Sequence, residues 1–116
     1  MGVVTHDLVL IGYNIGFKYY DESEWDKDNN LYDKYRLNGE SESGDMVIIM
    51  DVMSGNYFIV GKLVSVNYAN CDGLGVVVLD ADNEKFKADK QEVKEFIKQI
   101  YGIDVEPTYI AMTHYT

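Results

Sequence analysis

Val93, Phe96, Ile97, Ile100 and Tyr101 fall at i, i+3, i+4, i+7 and i+8, the spacing that puts side chains on one stripe of a helix. No other long apolar stretch of the chain has this period, so one late helix must cover a structure built mostly from strands. Asp89, with Glu92 three residues later, reads as a capping-box-like start in which Asp replaces Ser or Thr. Gly102 follows where a left-handed residue ends a helix. The predicted helix is Lys90 to Tyr101.

The remaining apolar runs read as strands. In the segment Val3 to Tyr20, Val9, Ile11, Tyr13, Ile15 and Phe17 alternate with Leu10, Gly12, Asn14 and Gly16, which predicts one well-buried face. Gly12 and Gly16 mark a bulge or bend. Met46–Met50 and Tyr57–Val66 are two further strands, joined through Met53-Ser54-Gly55-Asn56 as a hairpin, with Gly61 as a second bulge position. A loop, Asn67 to Gly73, leads to another apolar run, Gly75 to Leu79. After Pro107 comes an alternating strand, Thr108 to His114.

The order β-β-β-β-α-β predicts an α+β domain. Its sheet is a curved antiparallel one or a small SH3-like barrel, with the amphipathic helix closing one side. At 116 residues the chain makes a single domain, 1–116, large enough to bury a core without staples. Within it, 21–45 is an acidic polar insertion. Asn30 caps a short helix, Leu31 to Leu37, that Asn38-Gly39 ends, and Ser41 to Gly44 is loop.

Charge narrows the range of partners. Twenty acids face ten bases, and binding to nucleic acid relies on Lys and Arg neutralising phosphates, so direct binding to nucleic acid or to an anionic membrane is not expected. A basic protein would be attracted by the same field. The N-terminus lacks the basic region of a secretory signal, and His6 breaks a myristoylation pattern. No run reaches the roughly 20 apolar residues of a membrane span. Cys71 is a lone cysteine, which fits a reducing, cytoplasmic setting.

The most uneven charge lies between Asp21 and Asp45. Nine carboxylates stand there against Lys27, Lys34 and Arg36, which accounts for six of the ten net negative charges. Glu22, Glu24, Asp26 and Asp28 occupy alternate positions; in an extended segment they would form one row about 6.5 Å apart. Asp80, Asp82 and Glu84 make a second such row. If the segment is helical instead, the first row breaks up. Trp25, Tyr32 and Tyr35 stand among the charges as aromatic anchors of the kind that dominate interfaces. The competing reading is a solvated loop whose Trp packs on the core.

Signatures of catalysis and metal binding fail on inspection. An EF-hand loop from Asp26 has Leu31 and Leu37 where Gly and Glu belong, and one from Asp80 has Lys85 and Gln91 there. Gly73-Leu74-Gly75 lacks the third glycine of a dinucleotide fingerprint. His6 and His114 lie near opposite ends of the chain, and His114 reads as a surface residue. Most of the ten tyrosines read as strand packing.

The sequence thus predicts a non-enzymatic acidic interaction protein without cofactor or metal. Its partner-binding surface would carry Glu22, Glu24, Trp25, Asp26, Asp28, Tyr32, Tyr35, Asp80, Asp82 and Glu84. The partner would be a basic, nucleic-acid-binding protein, inhibited in the DNA-mimic manner of small phage-type or anti-CRISPR proteins. Two alternatives stay open. One is a metabolite-binding domain with a tyrosine-lined pocket, and the other is a structural component of a virion-type assembly.

Overall fold

Apolar runs without alternation belong to strands buried on both faces, and those from Leu8 to Ile11, Val47 to Ile49 and Phe58 to Val60 are used that way. The computed structural model describes residues 5–68 and 77–115. Strand β1 is Thr5–Asn14, β2 Met46–Met50, β3 Phe58–Tyr68 and β4 Thr108–Tyr115. They form one antiparallel sheet in the order β2-β3-β1-β4. The sheet stays open, with β2 and β4 at its edges, so the barrel form of the prediction does not hold.

Helix α2, Glu84–Tyr101, lies on one face. There Phe86, Val93 and Ile97 pack against Ile11 and Ile15, and against Ile48, Phe58 and Val60. Each such side chain stabilises the fold by about 1.5–3 kcal/mol when fully buried. On the other face Leu8, Leu10, Leu37, Val47, Ile49, Ile59 and Leu63 form a second cluster, with Ile110 and Met112 beside it. Side chains of all four strands meet there, as they do when a twisted sheet curls toward itself. The single buried face expected for β1 is therefore replaced by two, because β1 is a central strand.

The close approach of the two central strands has a local origin. Gly12 and Gly61 are direct cross-strand partners. A Cβ on Gly61 would lie 2.5 Å from the Ile11 carbonyl oxygen and 2.8 Å from Gly12 Cα, and one on Gly12 would lie 2.5 Å from the Val60 oxygen. Only a glycine pair lets the two central strands approach this closely. Gly61 is thus in register and is not the bulge. The irregularity falls between Val9 and Leu10, which pair with Ser65 and Leu63, so Val64 is the extra residue on β3.

Helix α2 begins six residues before the predicted start. Asn83 is its N-cap, with Oδ1 accepting from Lys85 N at 2.7 Å. Asp89 instead faces the sheet, where Lys62 Nζ donates to it at 2.9 Å and Lys85 Nζ at 3.0 Å. Burial pushes the Asp89 carboxyl up, but these two ammonium bonds outweigh it and leave its pKa below the ordinary value. The helix ends, as expected, at Gly102 with φ 71°.

Another correction concerns Gly75–Leu79. Its described part, 77–79, is not a strand, and Val78 and Leu79 are exposed. The loop residues Asn70, Asp72 and Gly73, the lone Cys71, and the start of that run lie outside the described residues, as do residues 1–4. Asn67 and Tyr68 complete β3 rather than opening a loop.

Candidate partner-binding surface

The chain between β1 and β2 is a sheath of aromatic rings laid over the end of the sheet next to the last turn of α2. Phe17–Tyr19 and Glu22–Asp26 are short 3₁₀ turns, and Leu31–Lys34 is helix α1. Asn30 caps α1 by accepting from Asp33 N at 2.9 Å, as predicted, but the helix stops after four residues. Beyond it the chain turns extended, and Tyr35 O accepts from Ile48 N while Arg36 bridges Ile48 in parallel.

The 3₁₀ turn at Glu22–Asp26 removes the straight row of acids. Successive residues in such a turn are about 120° apart, so acids at every second position point in different directions. Glu24 points inward. It is only 8% exposed, and its Oε2 accepts from Leu31 N at 3.0 Å while Oε1 accepts from Lys27 Nζ at 3.0 Å. The bond from the Leu31 amide, helped by Lys27, holds its pKa below the ordinary glutamate value. Glu24 ties the 3₁₀ turn to the start of α1 and supports the surface from beneath.

Tyr32 is internal too, at 2% exposure. Its hydroxyl accepts from Asp21 N at 2.8 Å, and its ring stacks on Tyr20 and meets Phe58 edge-on. Tyr35 is half-buried and docks edge-on against Phe96 of α2. Trp25 is different. It is 41% exposed, yet its Nε1–H donates to Tyr20 Oη at 2.9 Å and its ring meets Tyr32 at 5.0 Å. An exposed indole is thus held in a single orientation.

Trp25 forms part of an open groove of about 740 Å³, lined also by Asp26, Lys27, Asp28, Asn29, Asn30, Asp33 and Lys34. Asn29 has a φ of 54°, a left-handed conformation that asparagine tolerates better than most residues, and Asp33 lines the groove together with Asp26 and Asp28. Asp33 is the member of this constellation that spacing alone did not single out.

The second acidic stretch lies elsewhere. Asp80 and Asp82 sit in an exposed turn, where Asp82 N donates to Asp80 Oδ1, and Glu84 is the first residue of α2. Trp25 and Glu24 are gathered by the aromatic sheath at the far end of the same helix, where Tyr101 packs on Tyr19 and Phe58. An 18-residue helix is about 27 Å long. The two acidic stretches therefore lie beside opposite ends of α2.

Tyr101 has one unusual feature. Among the described residues its hydroxyl is buried without a hydrogen-bond partner, and burial pushes its pKa well above the ordinary tyrosine value. Removing an unpaired buried hydroxyl relieves a desolvation cost. Tyr101→Phe is therefore expected to leave stability unchanged or raise it by about 1 kcal/mol in urea unfolding. A clear loss would show that the hydroxyl has a partner.

Among the described residues no group of three or more His, Cys, Asp or Glu is arranged to hold a metal ion, and no helix is long and apolar enough to cross a membrane. No family model matches the chain, and no curated protein or solved structure matches it either.

Proposed function

We propose that this protein is an acidic interaction module that binds a basic protein partner through the Trp25 groove, and that the partner is a nucleic-acid-binding protein whose activity it blocks. The observation that carries this reading is Trp25 itself. An indole that is both exposed and fixed gives a partner broad contact area at little entropic cost, and Asp26, Asp28 and Asp33 outnumber Lys27 and Lys34 around it, a balance suited to arginine or lysine. A cation seated over an indole face gains about 0.5–2 kcal/mol. Inhibition would come from occupying the partner's basic groove, with one compact anionic patch in place of a long phosphate-like row. A cytoplasmic setting belongs to this reading and rests on the single cysteine.

The test is affinity capture from the native host with three baits: the unaltered protein, Trp25→Ala, and the triple change of Asp26, Asp28 and Asp33 to Asn. Both altered baits are expected to lose the captured partner by about tenfold or more, the scale of an interface hot spot. Capture should also weaken with salt and with added polyanion. Glu24 must be left intact, since its loss would disturb the fold as well as the charge. Equal capture by all three baits would remove the groove from consideration.

A further inference from the structure

The two histidines that the sequence sets far apart are direct cross-strand neighbours, His6 on β1 and His114 on β4. Both are buried, at 4% and 9% exposure, so His114 is not the surface residue that its position near the end of the chain suggests. Tyr57, next to the start of β3, completes the group, with its hydroxyl 2.7 Å from His114 Nδ1 and its ring edge-on to the imidazole.

We propose that His6, His114 and Tyr57 form an acid-sensitive latch whose protonation releases the C-terminal part of β4 from the sheet while the rest stays folded. The argument starts from what β4 contributes. It pairs only with β1 among the described strands, and His114 is its one buried residue. A strand at the sheet edge with so little buried surface is the element that opens at least cost. On the opposite side of the strand pair, Thr113 Oγ1 donates to Asp7 Oδ1 at 2.7 Å, so besides its pairing with β1 the end of β4 is held by these side-chain contacts, of which the histidine group is the buried one.

Protonation acts against this group in two ways. It puts a charge into a buried position, and a second protonation would put two like charges side by side. The bond to Tyr57 does not resist the change, since the hydroxyl can accept from a protonated Nδ1 as readily as donate to a neutral one. The charged and titratable groups facing the cluster are Asp51 in the β2–β3 turn, Tyr115 on β4, and Asp7 on β1 with its side chain on the other face. Asp51 favours the charged form of His114, but burial and His6 outweigh it. Burial likewise lowers the pKa of His6, against an opposing backbone bond to His114. A base whose folded pKa is lowered contributes stability that is complete above its ordinary value, about 6.5, and that is lost as the pH falls below it.

The experiment follows both imidazoles by NMR through a pH titration and measures amide hydrogen exchange in β4 and in the β2–β3 hairpin. Both midpoints are expected below about 6.5. Between pH 7 and 5, exchange across 111–115, corrected for intrinsic chemistry, should speed up by about tenfold or more while the hairpin is unaffected. In a His6→Gln, His114→Gln double variant the β4 rates should no longer depend on pH. Midpoints at or above the ordinary value, equal acceleration throughout the sheet, or an unchanged pH response in the double variant would each overturn the latch. If the double variant does not fold, the titration and exchange of the unaltered protein decide the matter.

Discussion

Gly61→Ala is expected to lower the unfolding free energy by about 3 kcal/mol, the upper part of the range for overpacking. The obstacle is chiefly backbone, although Leu10 Cδ1 also lies 2.7 Å from the added Cβ. The added Cβ would meet the Ile11 carbonyl oxygen at 2.5 Å and Gly12 Cα at 2.8 Å. Neither can turn aside unless β1 and β3 separate, and these two strands contribute Ile11, Phe58 and Val60 to one apolar cluster and Leu8, Leu10, Ile59 and Leu63 to the other. A small domain has about 5–15 kcal/mol to lose, so a single methyl group would remove about a fifth to three-fifths of it. Gly39→Ala is the control. A Cβ there meets nothing within 4 Å, and its effect should stay within about 0.5 kcal/mol. Urea unfolding of the two variants beside the native protein settles the point; equal midpoints would mean that the central strands are not in such close contact.

Phe58→Ala should be at least as damaging, at about 3–5 kcal/mol, and it links the core to the candidate surface. Phe58 is fully buried, and its ring meets Phe17, Tyr32 and Tyr101 edge-on. Those rings are the inner layer on which Tyr20 and Trp25 rest. The void left by alanine should loosen Tyr32 first and Trp25 with it. Two readings are therefore expected together: a lower denaturant midpoint, and a red shift of the emission of Trp25, the single tryptophan, under conditions where the protein is still folded. Tyr13→Ala removes a 38% exposed aromatic and should do neither. A lower midpoint with unchanged Trp25 emission would show that the exposed indole does not depend on the core beneath it.

The α+β class, the four strands that pair and the end of the long helix were legible because each rests on local signals: β-rich runs, a 3.6-residue stripe, a glycine after it. The beginning of α2 was hidden for a physical reason. Between Phe86 and Val93 the inward stripe passes through Asp89, an acid that reads as a cap until its partner Lys62 is brought to it from the sheet. The row from Glu22 to Asp28 misled in the opposite way. Alternation implies a row only in extended chain, and here Asp21 starts a 3₁₀ turn by accepting from Ser23 N, while Glu24 turns inward to a helix seven residues ahead. Trp25 could be picked out from its acidic surroundings, but not the hydroxyl of Tyr20 that fixes it. The histidine pair was beyond reach, since it depends on strand order, and no local pattern encodes that β1 lies between β3 and β4.

That strand order also governs how the chain must assemble. Asn14 meets Ile59, 45 positions on, and Thr5 meets Tyr115, 110 positions on, so β1 has no neighbour nearby in the sequence. The β2–β3 hairpin and α2 can form from adjacent residues, whereas the middle of the sheet must wait for long loops to close, a step that slows folding. During synthesis β1 is made before either strand it pairs with. Its apolar run Leu8-Val9-Leu10-Ile11 is then left without its partner strands until β3, and finally β4, have been made.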